Sequence, residues 1–386
     1  MPTDTPPGAS QREQPIITSL EVIPLEVPFT QPFKIAKGAA REVLEIVIVK
    51  VMTSDGIVGI GETQAWRRQG GAEILPNLVQ MIKHRFAPLM LGRSPFDIAG
   101  TLAVLDDAYS GTYYAQAAVA DALYDIIGKA AGLPIHKLLG GQCRERVRLG
   151  LILSMKPSTQ ELIETTQAHF EQGYRYFGLK VGLDPERDVA NAEALRKHFG
   201  DRIAFRVDAN GALSRDAALR LMRRLAHLDV DAFEQPVANW DIEGLASIAR
   251  ATGLPIMVDE SLSSEHGLLD IIRRDAATAV HTKLSKNGGI WRTWRLWALA
   301  SAAGMRICPG NHVCSGVQSA AALQMCAAWP EPLIDGVFAI GASGSLVSDL
   351  LAEPLKVDNG ELAVPSGPGL GIELDPDKIE HFRVDR

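Results

Sequence analysis

After Gly140-Gly141 the chain repeats one pattern eight times: a short apolar run, then an amphipathic stretch. The runs fall at residues 149–153, 176–181, 203–207, 232–233, 255–258, 279–284, 305–308 and 333–338. Each is too short for a buried helix and has the texture of a strand buried on both faces. The stretches between them have helical character, and 158–171 opens with Ser158 and Glu161 at capping-box spacing. Eight strands alternating with helices over roughly 200 residues predict a parallel (β/α) barrel of the TIM type. A doubly wound open sheet is the alternative, but no glycine-rich phosphate loop follows any of the runs.

The segment ahead of the barrel reads differently. Two apolar runs, 44–51 and 57–60, flank Thr53-Ser54-Asp55-Gly56, a hairpin signal. From about 72 to 139 the pattern turns helical, and the alanine- and leucine-rich stretch 115–131 stops before Gly132 and Pro134. The fold class expected is therefore α/β: a (β/α) TIM-type barrel at 141–354 with an α+β capping domain at 16–140. Residues 355–386, rich in glycine and proline, are expected to return to that capping domain, and 1–15 to form a disordered tail. The tail lacks the basic start and apolar stretch of a signal peptide, and no apolar run approaches the ~18 residues of a membrane span. With 386 residues, 46% apolar, the chain can bury a full core. A net charge of -7 gives no basic footprint for nucleic acid. Cys143, Cys308, Cys314 and Cys326 form no CxxC pair, so a reducing cytoplasm is the simpler setting.

Function is read at the strand ends. Lys180 ends the second run, Asp208 follows the third, Glu234 the fourth and Asp259 the fifth, and Lys286 comes after the sixth. C-terminal strand ends point into the mouth of a barrel, where catalytic groups sit. Three carboxylates on neighbouring strands are hard oxygen ligands suited to magnesium. A lysine beside a divalent cation in a low-dielectric site has a lowered pKa and can serve as a general base. The cation would stabilise charge developing on a substrate carboxylate. This is the equipment needed to remove an α-proton and form an enolate.

The motifs Val207-Asp208-Ala209-Asn210-Gly211, Phe233-Glu234-Gln235-Pro236, Val258-Asp259-Glu260-Ser261 and Lys283-Leu284-Ser285-Lys286-Asn287-Gly288-Gly289 resemble the enolase superfamily. Within it they resemble the mandelate racemase/muconate lactonizing enzyme family and its muconate-lactonizing group. The helix from Ala117 to Asp125, followed by Gly128-Lys129, is similar to that family's capping-domain signature. The resemblance covers nearly the whole chain. It implies magnesium on Asp208, Glu234 and Asp259, with Lys180 and Lys286 as acid/base residues on opposite faces of a small-molecule carboxylate. The mandelate-racemase group has an Asp where this chain has Lys286, which argues against that group.

Two positions depart from the pattern. Gly178 stands where a first lysine of Lys-x-Lys is usual, leaving space for a bulkier substrate or water. Cys314 stands where muconate-lactonizing relatives often carry Glu, which argues against muconate itself as substrate. Lid loops at about 29–38, with Phe33, and after Glu62, with Trp66 and Arg67, are expected over the mouth. Asn210, His312 and Cys314 complete the candidate substrate contacts; the remaining histidines are assigned no role. The leading function is an isomerase: racemase, epimerase or cycloisomerase. The alternative is a dehydratase expelling a β-hydroxyl from the same enolate. A non-catalytic binding barrel and metal-dependent aldol cleavage or hydrolysis are the remaining readings. A homo-oligomer is expected from the resemblance and from the prevalence of symmetric assembly.

Overall fold

The computed structural model describes residues 14–33, 41–65, 73–337 and 344–385. The expected tail up to residue 13, lid residues 34–40 and 66–72, and with them Trp66 and Arg67, lie outside the described residues, as does the Phe33 side chain.

Strands β1 (Ile17–Phe33), β2 (Arg41–Thr53) and β3 (Val58–Gln64) form an antiparallel sheet in that order. The expected hairpin joins β2 to β3. Gly56 takes a φ of +85° there, and its N–H donates to Thr53 O at 3.0 Å. The helix Tyr113–Ala131 lies against β3 at very close range. Gly59 and Gly61 share one face of that strand, and a Cβ on either would strike the carbonyl oxygen of Ala122 or Ala118. Small residues on both partners thus let two backbones touch. The helix stops at Gly132 in the left-handed conformation, as the sequence predicts.

The second unit holds a parallel sheet. After β4 (Arg146–Arg148) come β5 (Gly150–Leu153), β6 (Tyr176–Lys180), β7 (Ala204–Asp208), β8 (Phe233–Glu234), β9 (Ile256–Val258), β10 (Ala279–Lys283) and β11 (Arg306–Gly310). Strands β5 to β11 pair in sequence order. Among the described residues the eighth position is filled by Gly336 and Val337. Gly336 bridges to Leu149 beside β5, and Val337 bridges to Gly310 of β11. Gly150 N donates to Gly336 O at 3.0 Å and Asn311 N to Val337 O at 3.0 Å, which closes the curl into a barrel. A side chain at Gly336 would collide with Pro309 O. Helices such as Thr159–Glu171, capped by Ser158 accepting from Glu161 N at 3.2 Å, wrap the outside.

The two units are joined through backbone groups. Glu62 of β3 accepts from Ser315 N (2.8 Å), Ser315 Oγ (2.6 Å) and Gln318 N (3.0 Å), at the start of the barrel helix Gly316–Ala328. Asp121 accepts from Ile290 N at 2.8 Å, at the start of the helix Gly289–Ala302. A carboxylate at a helix N-terminus satisfies otherwise orphaned donors and opposes the macrodipole. The last segment runs back along this joint. Strand β12 (Glu361–Ala363) pairs with β4, Leu370 N donates to Asp125 Oδ1 at 2.8 Å, and Val384 N reaches Pro24 O at 3.1 Å. Among the described residues no helix is long and apolar enough to cross a membrane.

Candidate active site

Register sets the site. Lys180 pairs with Asp208 across β6 and β7, and Asp208 with Glu234 across β7 and β8. Asp259 follows β9 directly, and Lys283 is the last residue of β10. Five successive parallel strands thus present Lys, Asp, Glu, Asp and Lys at the same end of the barrel. Strands β6 and β10 are the second and sixth of eight, so their two lysines stand on opposite sides of the mouth.

Each carboxylate is buried and held by cations or amides. Asp208 accepts from Lys180 Nζ, from Asn210 N at 2.8 Å and from Asn210 Nδ2 at 3.1 Å. Asn210 also accepts from Lys180 Nζ at 2.9 Å and donates to Glu260 at 3.1 Å. Its φ of +46° turns the chain back so that its amide reaches all three. Glu234 lies between Arg206 and His281, the latter at 2.7 Å. Asp259 lies between Lys283 and Lys286, the latter at 2.7 Å.

Burial pushes every one of these carboxyls toward its neutral form. For Asp208 burial prevails, with the charge of Glu234 adding to it, and its pKa rises above the usual range. For Glu234 the burial is outweighed by Arg206 and His281, and for Asp259 by Lys283 and Lys286, so both stay ionised. Glu260, beside them, is raised to about 8 by burial and by the charges of Asp259 and Asp208.

The structure places a second lysine, Lys283, ahead of Lys286 at the sixth strand. Even spacing along the sequence points to Lys286, but β10 ends three residues earlier and passes at once into the helical turn Leu284–Asn287. Lys283 therefore holds the strand-end position. Lys286 points back under the site, with Nζ on Asp259 O, Asp259 Oδ1 and His281 O, which uses all three ammonium donors. The Lys283 ammonium donates to Asp259 Oδ2. Burial favours a neutral amine at Lys283, but Asp259, Glu260 and Glu234 outweigh it and hold the ammonium above the usual lysine range. Burial wins at Lys286 and lowers it.

Two further side chains escape the sequence reading. His281 lies two residues before Lys283 on β10, hence on the same face, and that parity is the signal that could have found it. A Cβ on Gly310 would strike its ring, so the glycine makes room for it. Arg206, fully buried, is the register partner of Gly178. The space beside Gly178 is not open: a Cβ on Gly178 would lie 2.6 Å from Ile152 Cδ1 and 3.6 Å from Arg206 Cζ. The cation beneath Glu234 comes from β7 instead of β6.

The donor set fits a divalent cation. Glu234, Asp259 and His281 offer ligand atoms within 4.8 Å of one another, and Asp208 adjoins Glu234 in register. Hard, buried carboxylate oxygens suit such an ion.

Two family models match this chain: the N-terminal domain of mandelate racemase/muconate lactonizing enzymes over residues 18–140, and an enolase C-terminal domain-like model over 161–378. The chain belongs to the mandelate racemase/muconate lactonizing enzyme family of the enolase superfamily. This family member is 33% identical to N-succinyl-L-Arg/Lys racemase of Bacillus cereus over 95% of its own length and 98% of that protein. It is 30% identical to muconate cycloisomerase 1 of Rhodococcus opacus over 94% and 97%. The crystal structure of muconate lactonizing enzyme from Pseudomonas fluorescens with muconolactone superposes with a TM-score of 0.89 at 30% identity, covering 96% and 100%. An isomerase of the muconate-lactonizing type, working through divalent-metal enolate chemistry, is what these relatives and the barrel support.

The remaining candidates sit at the junction of cap and barrel. His312 Nε2 and Tyr114 Oη are 2.7 Å apart, with the rings stacked. Burial, followed by the charge of Lys283, drives the imidazole pKa far down, so it is neutral. Cys314 is buried with Sγ 3.6 Å from Ser319 Oγ, and burial together with the charge of Glu62 keeps it a thiol.

Proposed function

We propose that this protein is a magnesium-dependent racemase or epimerase of an N-acylated α-amino acid, with Lys180 and Lys283 as the two acid/base residues. The observation that carries this reading is the pair of lysines across the mouth, with three carboxylates on the strands between them. An α-carbon held between the lysines exposes one face to each. One lysine as free amine removes the α-proton, and the opposite ammonium returns a proton to the other face. Asp259 keeps Lys283 protonated, which suits it as donor in one direction. Lys286, spent on Asp259 and His281, is a positioning residue in this scheme.

Asp208, Glu234 and Asp259 are the side chains that would hold magnesium, which supplies Lewis-acid stabilisation of charge on the substrate carboxylate. Arg206 and His281 hold Glu234 ionised and oriented for that duty. The acyl-amino-acid class rests on the likeness to the Bacillus cereus racemase.

Cycloisomerisation of a dicarboxylate is the second reading, supported by the likeness to the Rhodococcus opacus enzyme and the muconolactone complex. The test is incubation with magnesium in heavy water and a panel of N-succinyl amino acids, other N-acyl amino acids, dipeptides, lactones and muconate, followed by NMR and mass spectrometry. Deuterium at the α-carbon with inversion supports the racemase. Disappearance of muconate supports the cycloisomerase. A product lighter by one water identifies a dehydratase and refutes both.

A further inference from the structure

We propose that Gln235 is the positioning residue that sets the spacing of the three carboxylates and thereby the affinity for a divalent cation. The inference rests on Asp208, Glu234 and Asp259 being the cation's ligands.

Gln235 follows Glu234 and is fully buried, with a φ of +37° that few residues other than glycine adopt. Strained backbone of this kind persists only where the surroundings hold it. Here they do so through six hydrogen bonds. The backbone N–H donates to Met257 O at 2.9 Å, on the strand leading to Asp259. The backbone carbonyl accepts from Gly211 N at 2.8 Å, in the turn after Asp208. The side-chain Oε1 accepts from Asp259 N and Ser261 N, both at 3.1 Å. Nε2 donates to Val237 O at 2.9 Å and to Ser261 Oγ at 2.8 Å.

The amide orientation is dictated by its partners, because two N–H groups meet one end and a carbonyl meets the other. Every donor of the residue is used, and both lone pairs of Oε1 are taken. The contacts fall on the three loops that carry the ligands. The loop after β7 is held by the main chain, the loop after β8 is Gln235's own, and the loop after β9 is held by the side chain. The bond to Asp259 N is the most direct, since it anchors the backbone of a ligand.

No other natural side chain reproduces this set. Leucine fills the volume and satisfies none of the four side-chain bonds. Glutamate keeps the acceptor end but turns a second oxygen toward Val237 O and adds a negative charge to a crowded carboxylate site.

Loss of such outer contacts weakens metal binding by roughly ten- to hundredfold. The test is Mn2+ titration of the full-length protein by electron paramagnetic resonance at 25 °C, comparing wild type, Gln235→Leu, Gln235→Glu and Ser261→Ala. Thermal unfolding and circular dichroism without metal establish that each variant is folded. Both Gln235 variants should bind Mn2+ at least roughly tenfold more weakly. Ser261→Ala, which removes one side-chain partner and leaves the bond to Asp259 N, should stay within about threefold of wild type. Wild-type affinity in either folded Gln235 variant overturns the proposal, and if one fails to fold the other decides. Failure of wild type itself to bind Mn2+ would instead overturn the ligand assignment on which the proposal rests.

Discussion

Replacing Glu62 by Gln should flatten the dependence of folding stability on pH. The carboxylate belongs to the cap but serves a barrel helix through Ser315 and Gln318. Burial outweighs these bonds and raises its pKa from 4.5 to about 7. A carboxyl that binds its proton more tightly when folded contributes stability at acid pH, and that stability is lost as pH climbs toward the folded value. The interval of about 2.5 pH units, at ~1.36 kcal/mol each, amounts to about 3 kcal/mol lost between pH 4.5 and 7. Gln cannot ionise, so its variant escapes that loss. It carries instead a constant defect of about 1–2 kcal/mol, because an amide NH2 replaces an oxygen facing N–H donors. The variant should be the weaker protein at pH 5, with the gap closed or reversed at pH 8. Urea titrations at half-unit pH steps, followed by circular dichroism and by fluorescence of the packed Trp294, Trp297 and Trp329, measure both curves. Parallel curves across pH 5 to 8 would refute the reasoning. Asp121, also raised to about 7 by burial, should account for part of the slope that remains.

Lys283→Ala should lower α-proton exchange by roughly 10²–10⁴-fold while Mn2+ still binds, whereas Lys286→Ala should weaken cation binding first; NMR in heavy water and metal titration separate the two. Gly61→Ala should destabilise the protein by roughly 1–3 kcal/mol, since its Cβ would meet Ala118 O, and an unchanged melting temperature would contradict the close packing. Chelation should abolish turnover and lower the melting temperature, with magnesium at a hundred times its Kd restoring about 2.7 kcal/mol.

The barrel was legible because eight apolar runs recur at the length of one strand–helix unit, and Lys180, Asp208, Glu234 and Asp259 lie at the strand ends where that pattern puts them. At the sixth strand the structure offers Lys283 ahead of Lys286, for a local reason. Lys286 lies 27 residues after Asp259, matching the other intervals, and only the abrupt turn into Leu284–Asn287 shows that Lys283 closes the strand. Arg206 and Gln235 were invisible because their partners are distant in the chain. Gly178 carries no sign in the sequence that Arg206 and Ile152 fill the space beside it. His281 was overlooked although its parity with Lys283 was available. Of the expected lid loops, residues 34–38 and those from Trp66 onward fall outside the described residues.

Seven staves of this barrel are paired strands, and among the described residues the eighth is Gly336 and Val337, as short as β8. At Gly336 and Val337 the described backbone bonds across the seam are few, with Gly150 N, Asn311 N and Ile334 N as donors, so local opening there severs less than opening between β5 and β6, β6 and β7, or β10 and β11. That makes a zip fastener of one side of the wall. In native-state hydrogen exchange the amides of Gly150 and Asn311 should surrender their protons ahead of those in β6 and β7. A seam next to the seventh strand's loop is also a place where the mouth can change its width.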